Sequence, residues 1–289
     1  MADKYMKTLH DRGLPGRWAG FFAIILFLCA GEAPIPAGGG DSTPTAPPVS
    51  KYRARNFTGV TSEGYEIHAT VYTAPTSSEK SSLPVVLLVQ QAAGMRTDWF
   101  ENATLGQLLV DKGFAVVTLD LRGMGESTTK AGKPVSANGL PVADYKTVPQ
   151  DLQAVLKSLE TEKGLDTKKV FVVGAAYGAN VAMAYSAGEP RVQAVVALFP
   201  LPVIRLVSAE AAAPSLKNRL VAIVACADSG PFSEAAKKLA EAIGKSAQVW
   251  SDCEKQPPGF WILASKKDMN DRVARFLAAQ AFQAAPAPK

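Results

Sequence analysis

The stretch Lys169-Val-Phe-Val-Val-Gly-Ala-Ala-Tyr-Gly-Ala-Asn-Val-Ala-Met-Ala-Tyr-Ser-Ala187 changes character at its centre. Val170 to Val173 is a continuous apolar run rich in β-branched residues, the composition of a strand buried on both faces of a parallel sheet. Beyond Gly178 alanine dominates, and the segment favours a helix. Gly174 and Gly178 bracket Ala175, Ala176 and Tyr177, so the chain has to turn from strand to helix within five residues. Strand, tight turn and helix in this order are the building unit of an α/β sheet.

Working outward, Pro84 to Val89 and Phe114 to Leu119 are further apolar runs, and between them Asp98 to Lys112 reads as a helix, with Trp99, Leu105, Leu108 and Leu109 at helical spacing. A helix with Leu152, Val155, Leu156 and Leu159 on one face precedes the opening stretch, and the strand Val192 to Leu198 follows it. Leu220 to Ala225 and Gln248 to Trp250 complete the strands, with helices Ser233 to Ile243 and Lys267 to Ala279 after them. Ahead of all these, Tyr52 to Val60 and Gly64 to Thr73 alternate around Thr61-Ser-Glu-Gly64, the pattern of an antiparallel hairpin. The fold class is therefore α/β: a mostly parallel twisted sheet of about eight strands, helices on both faces, a leading hairpin, and only Leu201 to Arg219 available for a lid. No repeat of 20 to 50 residues is present, which excludes a solenoid.

Composition narrows the function. The 289 residues are 47% hydrophobic with a formal charge of +5, but Lys and Arg are scattered among Asp and Glu, which argues against a nucleic-acid partner. The two histidines, His10 and His68, cannot supply a metal cluster, and Cys29, Cys226 and Cys253 show no C-x-x-C spacing, so neither metal nor cofactor is expected. His68 falls on a strand and reads as a surface or packed residue.

Trp18 to Ala30 carries no charge and follows a Lys/Arg-containing leader, the pattern of an export signal or an uncleaved N-terminal anchor. Leu26-Phe27-Leu28-Cys29 resembles a bacterial lipobox, which makes Cys29 a lipidation candidate, although the pattern wants a small residue where Leu28 stands. Residues 34–50 are rich in Pro, Gly, Ser and Thr and read as a linker. The expected organisation is residues 1–33 as signal or anchor, 34–50 as linker, 51–281 as the folded domain and 282–289 as a flexible tail, in a periplasmic or membrane-anchored protein that meets the membrane only through its N-terminal segment.

Four stretches, in order, carry a resemblance. They are Leu87 to Gly94 with Arg96 and Trp99, Leu119-Asp-Leu-Arg-Gly-Met-Gly-Glu-Ser127, Gly174 to Gly178, and Ala225-Cys-Ala-Asp228. From Tyr52 to Leu277 the chain resembles the α/β-hydrolase superfamily, in particular serine hydrolases of the dienelactone hydrolase and esterase type. The resemblance implies an oxyanion loop, a D-x-R-G-H-G-x-S motif, a G-x-S-x-G nucleophile elbow and a strand end that delivers the triad acid.

Placed on that pattern, the site is degenerate. Ala176 stands at the nucleophile position, Asp228 at the acid position and Pro258 at the base position, while Gln90 and Met124 replace two further family histidines. Ser127, Ser229 and Cys226 lie in suitable loops, yet no histidine is expected beside either serine, and a serine without a base is a poor nucleophile. The resemblance assigns the oxyanion hole to the backbone N–H groups of Gln91 and Tyr177, which do not depend on side-chain identity. Such a pocket could hold a small carboxylate or ester, or be filled by Tyr177, Met124, Phe260 and Trp261. If the sheet follows the family order, Cys226 and Cys253 fall at neighbouring strand ends, where they are either a disulfide or two buried thiols. The expectation is an exported pseudoenzyme that binds such a ligand or an envelope protein; the alternatives are an atypical serine-independent hydrolase and a scaffold with a closed site.

Overall fold

The computed structural model describes residues 51–92, 94–253 and 258–282. The signal or anchor, the linker, Cys29, His10 and the last seven residues of the tail lie outside them. Among the described residues no helix is long and apolar enough to cross a membrane.

The chain begins with the hairpin β1 (Arg53–Val60) and β2 (Tyr65–Thr73), whose turn at Thr61 to Gly64 is closed by the Thr61 hydroxyl accepting from the Tyr65 amide at 3.0 Å. Strand β3 (Leu83–Val89), helices α1 (Asp98–Glu101) and α2 (Leu105–Asp111) and strand β4 (Ala115–Leu119) form the first βαβ unit. A two-residue ribbon, β5 (Thr129–Lys130) and β6 (Lys133–Pro134), and helix α3 (Pro149–Ser158) lead into β7 (Leu165–Ala175), α4 (Tyr177–Gly188) and β8 (Val192–Leu198). The segment that follows holds β9 (Val203–Ile204), β10 (Val207–Ser208) and α5 (Ala209–Ala212). The domain ends with β11 (Leu220–Val224), α6 (Pro231–Ile243), β12 (Ala247–Trp250), α7 (Trp261–Ser265) and α8 (Lys267–Ala281).

One sheet runs β12-β11-β8-β7-β3-β4-β2-β5-β6, with β1 on the far side of β2. From β12 to β4 all pairs are parallel; β1, β2 and the ribbon are antiparallel. The eight long strands are those expected, and the ribbon is an addition. Helices α2 and α8 pack together on one face and α3, α4 and α6 cover the other, so Val85 to Val89, Val170 to Val173 and Val221 to Val224 are wholly buried. That explains the unbroken apolar runs, since a strand covered on both faces has no polar side to alternate.

The expected helix Asp98 to Lys112 is broken at Asn102 to Thr104. The Asn102 side chain donates back to Asp98 Oδ1 at 2.7 Å, and the Ala103 amide reaches the Asp98 carbonyl at 3.0 Å. Phe100 can then fold over Gly106, where a Cβ would stand 2.5 Å from its ring, and stack on Tyr72 at 4.0 Å between centroids. Aromatic burial outweighs the continuity of one helical turn.

Helix α4 lies directly on backbone. A Cβ on Gly178 would come 2.3 Å from the Val89 carbonyl oxygen, and one on Gly174 would come 2.1 Å from that of Gly178. Neither neighbour is a side chain that can turn away. Gly178→Ala is therefore expected to lower unfolding free energy by about 1–3 kcal/mol through overpacking. Gly188→Ala, at a helical site where a Cβ meets nothing within 4 Å, should be neutral or stabilise by up to about 1 kcal/mol; urea unfolding of both variants checks the contrast.

Candidate functional site

The site grows from the end of β7. Ala176 has φ 47° and ψ −112°, a region that side chains other than hydrogen avoid, and it is held there by its own hydrogen bonds. Its amide donates to the Leu198 carbonyl of β8 at 2.8 Å, and its carbonyl accepts from Ala179 and Asn180 at 2.9 and 3.3 Å. Asn180, fully buried, donates to the carbonyls of Leu201 at 2.8 Å and Val207 at 3.0 Å and so ties α4 to the segment above it.

Across from this elbow comes the turn before α7. Residues 254–257 lie outside the described part, but Pro258, Gly259 and Phe260 are placed. The residue that reaches Ala176 is Gly259, next to the expected Pro258: a methyl there would stand 3.3 Å from the Ala176 Cβ. Gly259 has φ 87°, and the Gln91 side chain lies over it, with Oε1 accepting from the Phe260 amide at 3.0 Å. Against the Ala176 methyl lie the backbone of Gly259 and, over it, the Gln91 carboxamide. Asp228 is exposed and makes no hydrogen bond or ion pair among the described residues.

Comparison with known proteins accords with this geometry. The sequence profile of the dienelactone hydrolase family matches residues 68–251, more than half of the chain. The chain belongs to the dienelactone hydrolase family. The match takes in the elbow and the acid position and stops short of the turn that carries Gly259. Among solved structures, the chain is similar to a Pyrococcus furiosus esterase at 16% identity and a TM-score of 0.62, covering 79% of this chain and 91% of that one. It is also similar to acetyl xylan esterase 1 from Thermoanaerobacterium at 15% identity and a TM-score of 0.61, covering 82% and 86%. At this identity the likeness is one of fold. No curated protein matches by sequence.

The backbone N–H groups of Gln91 and Tyr177 have no partner among the described residues. Tyr177, Met124 and Phe260 are buried, Phe260 edge-on against Trp99 at 5.1 Å, whereas Trp261 is 51% exposed and does not fill the cleft as expected. Among aromatic residues at the end of a loop, sequence cannot tell which ring turns inward. Gln91 takes that role instead, through its side chain. Two surface cavities, one between Phe100 and Asn270 and one between Asp252 and Arg272, are lined by none of Ala176, Gln91 and Tyr177. Cys226 and Cys253 are joined as a disulfide, with Cα atoms 4.9 Å apart. Among the described residues no three His, Cys, Asp or Glu side chains converge to hold a metal.

One reading of the family's loops needs correction. Ser127 does have a histidine beside it, because the tight turn at Gly123 and Gly125 brings it back to β2, where the His68 amide donates to its Oγ at 2.8 Å. The contact uses the backbone of His68, and the Ser127 hydroxyl donates to the Asp120 carbonyl at 2.7 Å, so its proton is committed within a wholly buried site. The D-x-R-G-x-G motif is likewise structural. Asp120 accepts from Gln90 Nε2 at 3.1 Å, from the Arg96 and Glu126 amides at 3.2 and 3.1 Å, and from the Arg96 guanidinium. Arg122 pairs with Asp151 through its amide, Nε and Nη2 at 2.9, 2.8 and 2.6 Å, while Nη1 reaches Glu63 and Thr147 at 2.9 Å each.

Burial dominates at Asp151. It pushes the carboxyl up to about 6, and Arg122 offsets only part of that desolvation. Between about pH 4 and pH 6 the folded chain thus holds a proton that the unfolded chain has lost, so this carboxyl's contribution to stability falls as pH rises through that window. Asp252 has the opposite sign: Arg272 holds its pKa low, and its contribution is lost on acidification. Relative to Asp151→Asn, the wild type should lose up to about 3 kcal/mol of stability between pH 4 and pH 7, measured by urea unfolding at each pH. Ala176→Gly should gain about 1 kcal/mol by releasing the strained elbow, net of the extra freedom of glycine in the unfolded chain, and its urea midpoint checks this.

Proposed function

We propose that the chain is an exported, non-hydrolytic member of the dienelactone hydrolase family that uses the hydrolase scaffold to bind a small carboxylate or ester. One observation carries this reading: no hydroxyl stands at Ala176 and no histidine stands in the turn of Pro258 and Gly259 that comes against it, where Gln91 Oε1 accepts from the Phe260 amide at 3.0 Å. Removing a nucleophile and its base from such a triad costs on the order of a million-fold in turnover. Asp228, exposed and unpaired among the described residues, has no imidazole to orient.

Export is supported by the uncharged run Trp18 to Ala30 and by the disulfide, since such bonds persist in oxidising compartments. The N-terminal segment ends in cleavage, in lipidation at Cys29, or in an uncleaved anchor that leaves the domain on a linker. A second reading, a scaffold with a closed apex that engages another envelope protein, is favoured by the way Gln91 fills the cleft.

The purified protein is expected to show no saturable turnover of short-chain nitrophenyl esters, and Ala176→Ser should show none either, because no base reaches the new hydroxyl. Saturable turnover abolished by Asp228→Ala would overturn the reading in favour of an atypical hydrolase.

A further inference from the structure

The hairpin β9–β10 sits in the segment between β8 and β11. Ile204 pairs with Val207 across a two-residue turn, Arg205-Leu206, and both turn residues have positive φ, 45° and 64°. Turns of this kind are the province of Asn and Gly, and a long cation at the first position is a strained choice. The strain places the guanidinium against two rings: Arg205 Cζ is 5.6 Å from the ring centre of Tyr145 and 5.8 Å from that of Tyr177. Arg205 Nη1 is buried and has no hydrogen-bond or ion-pair partner among the described residues. The Tyr177 hydroxyl, on a residue only 3% exposed, is also buried without a partner.

Two buried donors left open beside the same pair of rings make a site that lacks an acceptor, and leaving such groups unpaired is costly. Arg205 makes no ion pair among the described residues, and the nearby Asp151 carboxyl is taken up by Arg122. Tyr145 is itself anchored, donating to the Ala137 carbonyl at 2.6 Å. The hairpin is fixed to the elbow through Asn180, which holds the carbonyls of Leu201 and Val207.

We propose that Arg205 and Tyr177 form the binding site of a small organic monocarboxylate, whose oxygens meet Arg205 Nη1 and the Tyr177 hydroxyl and whose apolar part lies against the Tyr145 and Tyr177 rings. The inference rests on the non-hydrolytic reading above and gives it a ligand class and an address, one residue beyond the vacated nucleophile position. A single uncompensated guanidinium suits a monoanion. Inorganic phosphate, a mixture of mono- and dianion at neutral pH with no apolar part, brings more charge in its dianionic half than one guanidinium balances and nothing to lie against the rings.

The test is calorimetric titration of the full chain with acetate, butyrate, benzoate and inorganic phosphate, for the wild type, Arg205→Asn, Arg205→Lys and Tyr177→Phe. The wild type is expected to bind the carboxylates, benzoate more tightly than acetate, and phosphate weakly or not at all. Arg205→Asn should bind at least tenfold more weakly, yet without ligand melt at the same or a higher temperature, because asparagine accepts the left-handed turn; Arg205→Lys should fall between. Tyr177→Phe should weaken binding several-fold. Carboxylate affinity unchanged in Arg205→Asn, phosphate preferred over every carboxylate, or no carboxylate binding by the wild type would each overturn the proposal. Nitrophenyl ester turnover in the same samples separates the two claims: turnover sinks the non-hydrolytic reading, whereas no turnover and no carboxylate binding sinks this site alone.

Discussion

A backbone-to-backbone contact governs this molecule. Gly178 rests on the carbonyls at the end of β3, and Gly174 on the carbonyl of Gly178, so α4 leaves the sheet with no side chain between them. That closeness forces the reversal between β7, which ends at Ala175, and α4, which starts at Tyr177, through the single residue Ala176 and drives it to a positive φ. It also sets the free amide of Tyr177 at the first turn of α4, where the helix adds its partial positive charge. None of this requires a serine. The packing of helix on sheet fixes the elbow whatever residue stands at its apex.

Polar groups around the elbow show the same separation of structure from catalysis. Asp120 and Arg122 bind buried backbone and partner side chains, and losing either would strand desolvated charge in the core. Ser127 spends its hydroxyl holding a loop to β2. The side chains of Ala176 and Asp228 have no such duties among the described residues. The polar side chains of these loops that are buried are the ones that satisfy buried donors and acceptors.

The loss of side chains at the apex is filled from within. Gln91 lies over Gly259, whose φ of 87° leaves space for the carboxamide, and Phe260 turns in against Trp99. Unpaired polar groups are found one step away, at Tyr177 and Arg205 beneath the β9–β10 hairpin. Stability is given up twice here, in the strained turn and in the open donors, and both costs fall beside the elbow at Ala176.

Much of this was written in the order of residues. Apolar runs, helical faces and the Gly174 to Gly178 turn determined the α/β sheet and its hairpin, because burial on both faces, amphipathic spacing and positive φ act over a few neighbours. The absence of a serine at Ala176 and of any histidine beyond His68 was equally plain in the sequence. Tertiary structure alone decided that Gly259 is the residue against Ala176, that Ser127 lies beside His68, that Gln91 and not Trp261 closes the apex, and that Arg205 reaches Tyr177. Each of these joins segments far apart in the chain, and Arg205-Leu206 carries none of the glycine or asparagine that marks a hairpin turn. Local sequence encodes local conformation; which side chain fills a shared space is settled by packing and by the pairing of buried polar groups across the whole fold.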